Sequence, residues 1–241
     1  MKKIIFKKIN FISFESNEFS KIIQKKGLFV FPSGPGLANI DKDNNYSKSL
    51  SGADYVFFDS GYFVLLLRIF KNIRVSKFSG YKFLNLYFKY LRLNKKKLVF
   101  NIDPNRKAAV INKNFFKKLG LNTKNYIAPM YNSSNIKDKK LFNKINQIKP
   151  DFVLTNIGGG VQEILGMYLK KNLKKKTSII CTGGAIEFFT GNQAPINNFL
   201  DKFYLGWITR IIFSPRIFFL RYLRATSLIK LVIKSKIKLI S

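Results

Sequence analysis

The sequence predicts an α/β fold, a mostly parallel sheet with helices on both faces, on three observations. Short apolar, β-branched runs alternate with longer segments of helical period along most of the chain. Two of these runs are broken by glycines directly before a helical pattern. Phe152-Val153-Leu154 leads to Gly158-Gly159-Gly160 and Gln162-Glu163; Thr177-Ser178-Ile179-Ile180-Cys181 leads to Thr182-Gly183-Gly184-Ala185 and Ile186-Glu187-Phe188-Phe189. Finally, 46% of the 241 residues are hydrophobic, enough for a substantial core and too many for wholesale disorder.

In chain order, Lys3 to Phe14 alternates roughly and reads as an edge strand or an irregular lead-in, and Glu15 to Lys26 as a short helix. Gly27-Leu28-Phe29-Val30-Phe31 is a strand ended by Pro32-Ser33-Gly34-Pro35-Gly36, a first candidate ligand loop. Ala53 to Phe58 is the next strand, ended by Asp59-Ser60-Gly61 before a helix from Tyr62 to Phe70. Val75 to Lys82 leads into an amphipathic helix reaching about Leu93. Leu98 to Ile102 is a strand, Asp103-Pro104-Asn105 opens the helix Arg106 to Leu119, and Gly120 caps it. Tyr126-Ile127-Ala128 is a weak strand, Asn132 to Lys140 a loop, and Leu141 to Ile148 a helix closing at Lys149-Pro150.

The glycine turns carry the first functional signal. Strand, glycine turn and helix N-terminus together suit a phosphate or diphosphate, because backbone N–H groups reach the anion without side chains intervening. A tight turn without ligand is the alternative. Two such turns after consecutive parallel strands fall on one edge of the sheet, where ligands of open α/β sheets bind, and so favour a nucleotide-type site.

Acid–base chemistry is narrowed by what is missing. No histidine occurs, which removes His-based catalysis, His-ligated metals and every Ser-His-Asp or Cys-His arrangement. The single cysteine, Cys181, reads as a small core residue and fits a reducing, cytosolic compartment. Asp59 directly follows a strand and precedes a helix, so it either caps that helix or faces the cleft as a general base. Asp41-Lys42-Asp43 spells D-x-D, yet it sits in a polar run with no strand before it, and no metal site is expected.

Charge points to anionic partners. The formal net charge is +32, from 44 Lys and Arg against 12 Asp and Glu, which attracts nucleic acid, anionic lipid or diphosphate substrates. A nucleic-acid-binding protein is the alternative reading, though no RRM, KH, helix-turn-helix or zinc spelling is present. No acidic residue follows Asp201. Helical patterns from Pro195 and from Ser214-Pro215, then an alternating tail from Ile229 to Ile240, mix basic and aromatic or aliphatic residues as an interfacial membrane segment does. No stretch is long and apolar enough to span a bilayer, and the basic N-terminus does not read as a signal peptide.

The blocks GADYVFFDSG, KFSGYK, KPDFVLTNIGGGVQE, CTGGAIEFFTGNQAP and LGWITRIIFSPRIFFLRYL occur in that order. Together they resemble the WecG/TagA/CpsF family of glycosyltransferases over roughly Leu28 to Leu223. The resemblance implies metal-independent, inverting transfer of an N-acetylmannosamine-type sugar, without cofactor, at the cytoplasmic face of the cell membrane. A UDP donor would supply the sugar and a polyprenyl-diphosphate-linked sugar would accept it. Asp59 falls on the family's proposed catalytic base. Gln162 falls on the glutamine after the glycine turn, with Gly160-Val161 where the family has Pro-Lys. Lys77 stands for an arginine, and Pro32-Ser33-Gly34 for a T-x-N-type turn. Arg210, Arg216 and Arg221 fall on arginines of a C-terminal appendage thought to close over the donor diphosphate.

The expected architecture is therefore a Rossmann-like catalytic body over residues 1–193 and a basic helical, membrane-associating appendage over 194–241. Asp59 is the expected catalytic residue. Ser33, Lys77, Gly158, Gly159, Gly160, Gln162, Gly183, Gly184, Arg210, Arg216 and Arg221 are the expected donor-binding residues. The expected partners are the UDP-sugar, the polyprenyl-linked acceptor and an anionic membrane surface, with a homo-oligomer left open. A non-catalytic sugar-nucleotide-binding relative is a further alternative.

Overall fold

The computed structural model describes residues 2–191, 212, 215, 219, 220, 223 and 225–240. The helices expected from Pro195 and Ser214 fall largely outside these residues, and Arg210, Arg216 and Arg221 fall wholly outside them.

The chain begins with a hairpin, β1 (Lys2–Phe6) and β2 (Ile9–Ser13). Its two turn residues, Lys7 and Lys8, both adopt positive φ, the backbone twist that two-residue hairpin turns require. After α1 (Phe19–Ile23), β3 (Gly27–Val30) and β4 (Tyr55–Phe57) flank α2 (Gly34–Ala38) and α3 (Asn44–Ser51). Helices α4 (Gly61–Lys71) and α5 (Gly80–Leu93) then cross to β5 (Val99–Asp103). Four further segments alternate: α6 (Arg106–Lys118), β6 (Thr123–Ile127), α7 (Lys139–Ile148) and β7 (Phe152–Thr155). Helix α8 (Val161–Asn172) leads to β8 (Ser178–Cys181), followed by a 3-10 turn (Gly183–Ile186) and α9 (Glu187–Thr190). Helix α10 (Ser227–Lys234) and β9 (Ile237–Ile240) close the described chain.

The strands form one sheet in the order β6-β5-β7-β8-β3-β4-β2-β1-β9. From β6 through β2 every pairing is parallel; β1 is antiparallel to both β2 and β9. The α/β fold with a mostly parallel sheet is thus present. The lead-in is not an edge: β9 pairs with β1, setting Ile4 opposite Leu239 and Phe6 opposite Ile237.

Two apolar layers cover the sheet. One face packs Leu37, Leu50, Phe63, Leu141, Leu165 and Leu228, one from each of α2, α3, α4, α7, α8 and α10. The other packs Phe19, Phe83 and Phe116 from α1, α5 and α6. Of the expected appendage, residues 225–240 lie against this body, with Ala225, Leu228 and Val232 fully buried and β9 in the sheet. The adjacent strands β5 and β7 send their helices, α6 and α8, to opposite faces. Such a reversal marks the usual ligand position of open α/β sheets, at the C-terminal ends of the strands.

Candidate functional site

Seven loops leave the C-terminal edge of the seven parallel strands, and contacts between distant residues tie four of them together, those after β3, β4, β7 and β8. After β4, Ser60 rather than Asp59 caps α4, its hydroxyl accepting the N–H of Phe63 at 3.1 Å. Asp59 is released from capping and accepts the N–H of Gly80, at the start of α5, through Oδ1 at 2.9 Å. Gly80 lies tight against the loop after β8: a Cβ there would stand 3.3 Å from Cβ of Thr182 and 3.5 Å from that of Ala185. Asp59 is thereby joined to the loop after β8. Phe78 N–H donates to Phe58 O at 3.0 Å, which sets half-buried Lys77 beside the Asp59 loop.

The loop after β3 approaches from the other side. Ser33 caps the short α2 by accepting Gly36 N–H at 3.3 Å. A Cβ on Gly34 would come within 2.8 Å of the Ser60 hydroxyl, so this turn and the Asp59 loop touch. The Tyr46 hydroxyl lies 2.7 Å from where a Gly36 Cβ would be. Burial pushes the Tyr46 phenol well above its ordinary range, and Glu163, Asp59 and Asp43 add to this.

The two glycine turns are linked by one side chain. Gln162, buried at the start of α8, accepts the N–H of Gly183 at 2.7 Å and the hydroxyl of Thr155 at 3.2 Å through Oε1. Its Nε2 donates to Glu163 at 3.1 Å. The amide expected to meet a donor is thus a clasp between the turn after β7 and the turn after β8. Gly160 and Gly183 both take positive φ, +91° and +59°, which favours glycine there. Gly158 and Gly159 are exposed, and among the described residues a Cβ on either would meet nothing within 4 Å. Gly184 follows, half-buried, in the 3-10 turn.

Sequence reasoning passed over Glu163, although G-x-x-E at a helix start spells its local role. Its Oε2 accepts Gly160 N–H at 2.7 Å. At 1% exposure its pKa is pushed up to about 7, by burial first and by nearby Asp59 as well, against the hydrogen bonds that favour the ion. Thr182 was also missed; its hydroxyl is buried without a partner among the described residues, next to Gly80. At the C-terminal ends of β5 and β7, fully buried Asp103 accepts the side-chain amides of Asn112, Asn125 and Asn156 at 2.6, 2.7 and 2.8 Å. This cluster braces the strand ends from which the first glycine turn departs.

The D-x-D carboxylates serve elsewhere: Asp41 pairs with Lys7 at 2.9 Å and Asp43 caps α3. Among the described residues no group of three or more His, Cys, Asp or Glu is arranged to hold a metal. A cavity of about 170 Å³ lined by Lys26, Asp54, Lys170, Lys175 and Lys176 opens at the opposite, N-terminal edge of the sheet. Asp54 there is committed to Lys170 at 2.7 Å and Leu28 N–H at 2.8 Å.

Comparison with known proteins adds to this geometry. The sequence model of the Glycosyl transferase WecG/TagA/CpsF family matches residues 6–241. The chain is also similar to two proteins named N-acetylglucosaminyldiphosphoundecaprenol N-acetyl-beta-D-mannosaminyltransferase. One, from Bacillus subtilis, is 27% identical over 198 residues, covering 80% of this chain and 75% of that protein. The other, from Bacillus spizizenii, is 24% identical over 221 residues, covering 87% of this chain and 84% of that protein.

Proposed function

Because the chain belongs to the WecG/TagA/CpsF family and is a glycosyltransferase, we propose that it moves an N-acetylmannosamine-type sugar from a UDP donor to a polyprenyl-diphosphate-linked N-acetylglucosamine. The names of the two similar Bacillus proteins give the sugar and the acceptor of that transfer. The observation that supports the reading is the joining of Asp59, Gly80, Thr182–Gly183 and Gln162 into one edge of the sheet.

In this reading Asp59 is the base. The acceptor hydroxyl oxygen forms a bond to the anomeric carbon as its proton passes to the Asp59 carboxylate. The bond from that carbon to the diphosphate breaks, and UDP departs with the electron pair. A single displacement of this kind inverts the anomeric centre. The Gly80 N–H holds Oδ1 and so fixes the carboxylate's position. With the N–H groups of Gly160 and Gly183 held inside the protein, exposed Gly158 and Gly159 offer backbone to the charge gathering on UDP, with Ser33 and Lys77 at the rim, and no metal is required. Arg210, Arg216 and Arg221, outside the described residues, would add guanidinium groups above the diphosphate.

The division into a catalytic body, 1–193, and an appendage, 194–241, belongs to the same proposal, with 225–240 docked on the body. Among the described residues no helix is long and apolar enough to cross a membrane. Ile212, Phe219, Leu220 and Leu223 are helical and 55–69% exposed, an apolar stripe in a segment rich in arginine. That composition supports peripheral attachment to the inner face of the cell membrane, where the acceptor resides.

The test is transfer of radiolabelled sugar from UDP-N-acetylmannosamine to polyprenyl-linked N-acetylglucosamine by parent protein and Asp59→Asn. Transfer by the parent and not by the variant supports the reading. Equal turnover excludes Asp59 as base, and no turnover by the parent with any donor points to a binding relative without catalysis.

A further inference from the structure

Glu163 is a nearly inaccessible carboxylate in the middle of the candidate site, and its two oxygens do different work. Oε2 accepts the backbone N–H of Gly160 at 2.7 Å. Oε1 accepts Nε2 of Gln162 at 3.1 Å, and the other end of that amide accepts Gly183 N–H at 2.7 Å. One carboxylate thus holds the turn after β7 directly and the turn after β8 through a single side chain. Both glycines it reaches sit at positive φ, where the backbone has few other restraints.

The arrangement needs an ionised acid. A carboxylate can accept on both oxygens at once, whereas a glutamine or a protonated glutamate turns a donor toward one of the two N–H groups. That N–H would then lose its acceptor within the protein. The charge is costly to the fold, since burial raises the acid's pKa to about 7. Among the described residues, the titratable groups facing it are Asp59 from the loop after β4, Tyr46 from α3 and Cys181 from β8. Burial pushes the Tyr46 phenol and the Cys181 thiol up, so both stay neutral and Asp59 is the charged neighbour among these three. A fold selected for stability alone would place a neutral group here.

We propose that Glu163 is a positioning residue for the donor: through Gly160 N–H and Gln162 it holds both glycine turns in the register that a nucleoside diphosphate requires, at the expense of fold stability. This rests on the reading of the two turns as the donor seat.

The test compares the full-length parent with Glu163→Gln. Binding of UDP-N-acetylmannosamine, whose diphosphate does not titrate near neutrality, is measured by calorimetry from pH 6 to 8.5. Thermal midpoints and amide hydrogen exchange are recorded alongside. Glu163→Gln is expected to melt at or above the parent temperature and to bind the donor roughly tenfold more weakly at pH 8. Exchange should accelerate at Gly160 and Gly183 and not across the sheet. Parent affinity should fall as pH drops through about 7, while that of the variant stays flat.

Parent-like affinity and pH profile in Glu163→Gln overturn this proposal and leave the donor-seat reading standing. A lowered midpoint with faster exchange everywhere also overturns it, as the signature of a purely structural residue. A parent that binds no UDP-sugar overturns both. If the variant does not fold, the parent decides, because donor affinity flat from pH 6 to 8.5 sinks the proposal.

Discussion

Asp59 and Gly80 are joined by a hydrogen bond from the glycine N–H to Oδ1 of the aspartate, 2.9 Å long and spanning 21 residues of sequence. It turns a strand-end carboxylate into a fixed point, because the donor belongs to the first turn of α5, a helix anchored by Phe83, Leu84 and Tyr87 in the core.

The first prediction separates that anchor from the chemistry. Asn at position 59 keeps an oxygen for Gly80 N–H but cannot take a proton. Asp59→Asn should retain the parent's thermal midpoint and UDP-sugar affinity while losing turnover by about 10²- to 10⁴-fold. Calorimetry and the transfer assay, run on one preparation, check both halves.

The glycines supply a second contrast. Gly160 has φ of +91°, so Gly160→Ala should destabilise the fold by about 1–3 kcal/mol. Gly158 and Gly159 meet no neighbour in the described residues, so Gly159→Ala should leave the thermal midpoint unchanged. If a diphosphate lies against that backbone, the same substitution raises the donor KM with kcat little altered.

Glu163 makes stability depend on pH. Its pKa in the fold, about 7, lies above the 4.5 of the free side chain. Below 4.5 both states are protonated and the carboxyl costs nothing. Between 4.5 and 7 the unfolded chain ionises first, so stability falls with rising pH and levels off above about 7. The full cost is at most about 3 kcal/mol. Denaturant titrations should show this decline in the parent and its absence in Glu163→Gln.

The amide cluster on Asp103 predicts a purely structural loss. Asp103→Ala would leave the amides of Asn112, Asn125 and Asn156 without their shared acceptor in a buried place. A destabilisation of about 3–5 kcal/mol is expected by urea unfolding.

Membrane attachment is checked on the described part of the appendage. Replacing exposed Phe219 and Leu223 with Asp removes apolar area and adds negative charge. Vesicles containing anionic lipid should then sediment the protein at least about tenfold less well, with the thermal midpoint unchanged. Unchanged sedimentation would place the attachment elsewhere.

Strands β3, β4, β5, β7 and β8 and the helices from α4 through α8 were legible in period and composition, whereas α2 and α3, in a glycine- and proline-rich turn and a polar run, were not. Also legible were the glycine turns at 158–160 and 183–184 and the strand-end position of Asp59. Each depends on neighbours close in the chain: alternate or helical burial, glycine where φ turns positive, a polar residue where a strand stops. The lead-in was ambiguous because its outer edge is paired by β9, more than 230 residues away. Asp59 could not be told from a helix cap, since Ser60 beside it is an equally good cap and takes that place.

What local pattern could not reach was partnership. Periodicity reports which face of a segment is buried, but not which segment lies against it. The order that sets β8 beside β3 and β7 brings Gln162 to Gly183, and the descent of α5 brings Gly80 to Asp59. Those bonds depend on angles and distances of a few tenths of an ångström between loops remote in sequence, so only the closed sheet could assign Glu163 its two turns.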